Sequence, residues 1–195
     1  MIPAFVLVLV AVLYRVATGL LIHSGTTWLS EFAPGSAIAL CCAAYFPLKY
    51  KFSVPLGALF VSDLILNYNY GASLFDAQIV CRYFALALVC VIGWSLQNRA
   101  SLKTLLPASI AASIAFYLVT NIFSWWSDPG YAKDFAGLIQ ALTVGLPAYS
   151  ATPTWMFFRN SVFSNVFFTL LFVLTVNFGH NLERSRARAA VSRTA

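Results

Sequence analysis

Apolar residues run through this chain in long blocks separated by short polar punctuation. A helix needs about 20 mostly apolar residues to cross the hydrocarbon core of a bilayer. Five blocks approach or meet that length: residues 2–22, 52–69, 77–96, 105–125 and 161–178. A sixth block, 33–48, is shorter and rich in small residues, with Gly35, Ala39 and Ala43 spaced four apart. Small residues at that spacing let a neighbouring helix approach closely. The block therefore predicts a short helix hidden among others rather than a loop. A seventh stretch, 135–151, is apolar but short, and Gly145 and Pro147 interrupt it.

The charges between the blocks supply a topology. With six spans and a cytoplasmic N-terminus, the inner connections hold Lys49 and Lys51, then Arg99 and Lys103, then a tail with Arg184, Arg186, Arg188 and Arg193. The outer connections hold His23 and Glu31, then Asp76, then Asp128, Lys133, Asp134 and Arg159. Lysine and arginine concentrate on the inner side, as the positive-inside rule requires. Counting 135–151 as a seventh span would put the arginine tail outside. The expected fold is an all-α integral membrane protein of six transmembrane helices with both termini cytoplasmic. Residues 1–182 form one transmembrane domain and 183–195 a basic cytoplasmic tail. The long third outer connection, 126–160, points to an extracytoplasmic working face.

Composition agrees. The chain of 195 residues is 61% hydrophobic and 9% charged, and its mean hydropathy is +0.81. Soluble domains carry about 25% charged residues, so most of this exterior must face lipid. The net charge of +6 resides largely in the tail, which reads as a membrane anchor and not as a nucleic-acid surface. The N-terminal block lacks the basic start of a signal peptide, and Arg15 breaks its apolar core, so it reads as a retained span. Four cysteines show neither a disulfide framework nor the CxxC or Cys/His spacing of a zinc site.

Charges inside spans cost about 2.5–3.5 kcal/mol each on insertion scales, so each needs a partner or a task. Arg15, Asp63 and Arg82 are such charges, all toward the outer half of the predicted bundle. Asn67 and Tyr70 follow Asp63 at i+4 and i+7 on one helix face, and Asn121, Arg159 and Asn160 lie at similar depth. Asp63 and Arg82, on consecutive antiparallel helices, are expected to pair, while Arg15 is placed to snorkel outward. Polar groups gathered at one depth predict a cavity open to the outside. Cys81 lies level with them. It reads either as a small buried apolar residue or as a thiolate favoured by Arg82 and the first turn of its helix, a soft ligand for a metal that arrives already chelated.

Six spans, both ends inside and an outer cavity resemble the substrate-binding S components of energy-coupling-factor vitamin transporters. More locally, "FAPGSAIALCCAAYF", "VPLGALFVSDLILNY", "FYLVTNIFSWW" and "FFRNSVFSNVFFTLLF" look like blocks of bacterial membrane proteins distantly related to them, among them the solitary cobalamin transporters of the BtuM type. That resemblance implies vitamin uptake, with a corrinoid bound in the outer cavity and Cys81 as the cobalt ligand. His23, Asp63, Asn67, Tyr68, Tyr70, Arg82 and Tyr83 would contact the bound corrinoid, and removal of an upper axial cyanide would be an accompanying chemistry.

S components dock on a coupling subunit through an AxxxA stripe in their first span. Here that span carries Ala4, Ala11 and Thr18 at heptad spacing instead, which suits a solitary transporter. No GxxxxGK[ST] motif is present for ATP. Two other readings are an S-component-like transporter of a different small molecule, with Cys81 as packing, and a structural or assembly membrane protein without a transported ligand. With two histidines, and neither a Ser/His/Asp order nor paired carboxylates, a conventional enzyme is disfavoured.

Overall fold

A computed structural model describes residues 2–23, 32–71, 73 and 76–194. The described residues form helices and no strands: α1 (Ile2–His23), α2 (Gly35–Tyr45), α3 (Leu48–Lys51), α4 (Ser53–Tyr70), α5 (Ala77–Ser95), α6 (Leu102–Ser127), α7 (Phe135–Thr143) and α8 (Thr154–Thr194), with a 3-10 turn at Gln97–Arg99. Local chemistry marks the ends. Asp76 and Asp134 cap α5 and α7, accepting from the backbone N–H of Gln78 and of Gly137. Ser101 and Thr104 form a capping box on α6. Gly71 closes α4 at φ 64, a conformation with little cost only for glycine.

Four helices are long and apolar enough to cross a membrane: Ala4–Leu21, Ala77–Ser95, Leu102–Ser127 and Thr154–Glu183. At most a third of any of these windows is buried. The exposed positions are apolar, as with Val6, Leu9, Val10 and Leu13 on α1 and Phe163, Phe167, Leu171 and Leu174 on α8. Continuous apolar surfaces of this size call for lipid rather than water. This is the arrangement of a multi-pass membrane protein. The third predicted block in chain order, 52–69, becomes α4, whose 18 residues suffice in length, but Ser62, Asp63, Asn67 and Asn69 dilute its apolar character. The last helix begins at Thr154, well before the expected 161, and continues through Thr194, so residues 183–194 are helical.

The short second block is the centre of the molecule. α2 has 11 residues, and residues 36–44 are all buried. Ala39, Leu40 and Ala43 pack with Leu86, Val89 and Cys90 of α5 and Leu105 and Ala108 of α6. On another side, Ile38, Cys41 and Cys42 pack with Ala4, Val8 and Ala11 of α1 and Phe172 of α8. The small-residue spacing thus does what it predicted, since only small side chains let this many helices converge. Three of the four cysteines are core packing here.

α2 ends at Phe46–Pro47, and Lys51, only 3% exposed, donates from Nζ to the Ala43 carbonyl at 2.6 Å. The ammonium thus satisfies a carbonyl that the helix end leaves open and complements the negative end of its dipole. Replacing Lys51 with methionine keeps the stem and removes the charge. We expect a loss of about 1–2 kcal/mol, read as a lowered melting temperature in detergent. An unchanged melting temperature would mean that water replaces the ammonium without penalty.

The ambiguous stretch 135–151 resolves into a surface helix and a turn. α7 packs on α6 and α8, buries Gly137 and Ala141 and leaves Phe135 and Ile139 exposed. The Tyr117 hydroxyl donates to the Leu142 carbonyl at 2.6 Å, and Trp125 Nε1 donates to the Ala132 carbonyl at 2.8 Å. Gly145, at φ 74, then turns the chain toward α8.

Candidate functional site: a cavity over an ion-paired triad

Residues from six helices line one cavity of about 700 Å³. They come mainly from the C-terminal halves of α1, α4 and α6 and the N-terminal halves of α2, α5 and α8, with Leu59 just before the middle of α4 and Leu86 at the middle of α5. These six helices therefore alternate in direction, and the cavity sits where three of them end and three begin. Its volume falls in the range of about 300–1,000 Å³ that encloses a drug-sized molecule. Leu59 and Leu66 of α4, Leu86 of α5 and Phe116 of α6 supply apolar walls. A polar stripe on α6, Tyr117, Thr120, Asn121 and Ser124, faces them. Gln78 Nε2 donates to Ser124 Oγ at 2.8 Å and ties the start of α5 to the end of α6.

Asp63 lies behind this lining, 2% exposed. Arg15 Nη2 donates to its Oδ1 at 2.7 Å, and Arg15 Nη1 donates to Ser62 Oγ. Ser62 passes its own proton to the Leu59 carbonyl at 2.8 Å. Arg82 stands on the other side of the carboxylate, its Nη2 3.7 Å from Oδ2, within ion-pairing distance but beyond a hydrogen bond. Asp63 Oδ2 and Arg82 Nε are buried without hydrogen-bond partners. The expected Asp63–Arg82 ion pair is present but is the longer of two. Arg15 does not snorkel but is the close partner of Asp63, and Arg82 is only loosely held.

The expected ligand contacts divide. Asn67 and Arg82 line the cavity, as does Asp76 at the cap of α5, and Asp63 acts through its two arginines. Asn67 Nδ2 donates to the Ser73 carbonyl at 3.5 Å. Tyr68 is 89% exposed on the outside of α4. Tyr70 sets its hydroxyl against Gly19 on α1, and Tyr83 packs against the core; neither lines the cavity. His23 ends α1, and its side chain lies outside the described residues, as does the connection 24–31.

Cys81 is the main correction. It is buried, its Sγ donates to the Val119 carbonyl of α6 at 3.8 Å, and it does not line the cavity. The lining face of α5 carries Ile79, Arg82 and Leu86, at i, i+3 and i+7. Cys81 precedes Arg82 by one residue, a rotation of about 100° that turns it into the α5–α6 interface. In this geometry the Cys81 thiol faces away from the cavity, so it is not placed to ligate a cobalt held there. Among the described residues no group of three or more His, Cys, Asp or Glu could hold a metal ion.

The sequence reading missed Thr18, Gln78, Thr120 and Ser124. A signal for two of them was present: residues 117, 120, 121 and 124 are polar or amphipathic at i, i+3, i+4 and i+7 within an apolar span.

The family described as a family of unknown function (DUF6580) matches residues 1–186. The chain belongs to DUF6580. The match takes in every residue that lines the cavity. No curated protein and no solved structure matches the chain. The chemistry available in the DUF6580 cavity is therefore read from its own residues. They offer one tightly paired cation, one loosely held cation, the Asp76 carboxylate, amide and hydroxyl groups and an apolar wall.

Proposed function

We propose that this protein binds a drug-sized small molecule in the cavity and serves its uptake across a bacterial cytoplasmic membrane. In this reading six helices span the bilayer, α2 completed by the turns at its ends, both termini are cytoplasmic and the cavity opens outward, as in the S components that the sequence resembles. The observation that carries it is the cavity itself, about 700 Å³ between the ends of six alternating helices, with charge held at its wall. A structural or assembly protein would have no use for such a space, because lipid-embedded bundles gain by filling it.

The corrinoid version of this function rests on the resemblance alone. It requires Cys81 to reach cobalt, and the thiol faces α6. Adding cobalamin to the purified protein is expected to give the same visible spectrum with wild type and with Cys81→Ala. A shift seen only in wild type would restore the cobalt ligand and with it the corrinoid.

The uptake reading is tested by releasing small molecules from detergent-purified protein and identifying them by mass. Wild type is expected to carry a compound that Ile79→Trp, which fills the cavity from its half-buried wall, does not. Wild type that carries no compound, and whose melting temperature ignores a metabolite extract, would overturn it. Whether a coupling module takes part is read from what co-purifies: a solitary transporter comes alone.

A further inference from the structure

We infer that the molecule bound in this cavity is an organic anion whose carboxylate or phosphate oxygens are held by Arg82. This rests on the proposal that the cavity is the ligand site and adds the chemical class. Two guanidinium groups share one carboxylate. Arg15 has taken Oδ1 at 2.7 Å and has Ser62 as a second acceptor. Arg82 is left at 3.7 Å from Oδ2, and its Nε has no hydrogen-bond partner.

Its side chain is 35% exposed, against 16% for Arg15, and it lines the cavity. Among the described residues no other carboxylate lies within ion-pairing distance of it. Asp76 also lines the cavity, but it is exposed at the cap of α5, six residues and about 9 Å further along the helix. The triad therefore carries one cation in excess at the cavity wall. An oxyanion laid against the exposed part of the Arg82 side chain makes two charges of each sign. The planar guanidinium suits a bidentate oxyanion better than a point charge does. Leu59, Leu66, Leu86 and Phe116 then receive an apolar remainder.

The test divides a water-soluble metabolite extract of low molecular mass on an anion-exchange column. The melting temperature of the whole protein in neutral detergent is measured with the retained and the unretained fractions. The retained fraction should stabilise wild type. Arg82→Gln should bind it roughly 10- to 100-fold more weakly, and Arg82→Lys, which keeps charge but loses the fork, should fall between. Stabilisation by the unretained fraction alone, or an equal response of wild type and Arg82→Gln to the retained one, would overturn the anion assignment and leave the binding function standing. No response of wild type to either fraction would overturn both. Should Arg82→Gln fail to fold, wild type decides by salt. A contact between arginine and an oxyanion weakens as salt rises, and a salt-independent shift would exclude it.

Discussion

Alanine at Asp63 is expected to destabilise the protein by about 3–5 kcal/mol, the usual cost of removing one partner of a buried ion pair. The carboxylate is 2% exposed and accepts from Arg15 at 2.7 Å. Without it Arg15 keeps Ser62 as a hydrogen-bond acceptor but loses its counter-charge, and Arg82 becomes a second unbalanced cation nearby. For a chain of this length that corresponds to a fall of roughly 6–20 °C in melting temperature. Leucine at both Arg15 and Asp63 should recover most of the loss, because an apolar pair replaces buried charges at little net cost. A single-variant loss below about 1 kcal/mol would show that water reaches the pair and that it behaves as an exposed salt bridge. A further readout separates binding from architecture. If the triad only locks the bundle, the double variant recovers both stability and ligand response. If it also sets the charge of the cavity, stability returns while the affinity for an anion is altered, because Arg82 has lost its one counter-charge.

Much of this site was legible as a depth and little of it as a set of contacts. Depth follows from position along a helix, so Arg15, Asp63, Asn67 and Arg82 could be placed at one level by counting from the ends of apolar blocks. Partners depend on which helices adjoin and how each is rotated, and neither quantity is periodic. Asp63 and Arg82 sit on helices consecutive in sequence, and consecutive elements usually adjoin. Here α4 packs chiefly on α1 and barely on α5, because α2 takes the place against α5. That substitution gives Asp63 to Arg15. Cys81 fails for the second reason: one residue of rotation separates the cavity from the α5–α6 interface. The early start of α8 was hidden by Arg159 and Asn160, which resemble a boundary. In the structure Arg159 lies over the Trp155 ring at 5.7 Å and donates to Asn160 Oδ1 at 3.2 Å, so the charge rides on the helix without ending it. The burial of α2, by contrast, needed only its small residues, since spacing and size are both properties of the sequence.

The contact that seats α2 against α5 yields the other large effect. Gly93 of α5 lies so close to α2 that a Cβ there would come 2.2 Å from the Leu40 carbonyl oxygen, 2.9 Å from its carbon and 3.0 Å from Ala43 Cβ. Two of these atoms are backbone, so no rotamer change relieves the clash and the helices must part. Leu40 and Ala43 are fully buried on a helix enclosed along its whole length, which leaves α5 as the element that moves. Gly93→Ala should therefore cost about 3 kcal/mol, the upper end for overpacked cores. Gly57 of α4 is the internal control, because a Cβ there meets nothing within 4 Å. Gly57→Ala should be neutral or gain about 0.5–1 kcal/mol from the lower entropy of alanine in a helix. Arg82 rides on α5 eleven residues, about 16 Å, from Gly93. An α5 that shifts as a rigid body carries the Arg82 fork with it, so Gly93→Ala should also weaken anion binding while Gly57→Ala leaves it unchanged. Equal melting temperatures for the two alanine variants would show that α2 and α5 are not in backbone contact, and the central place of α2 in the bundle would fall with that result.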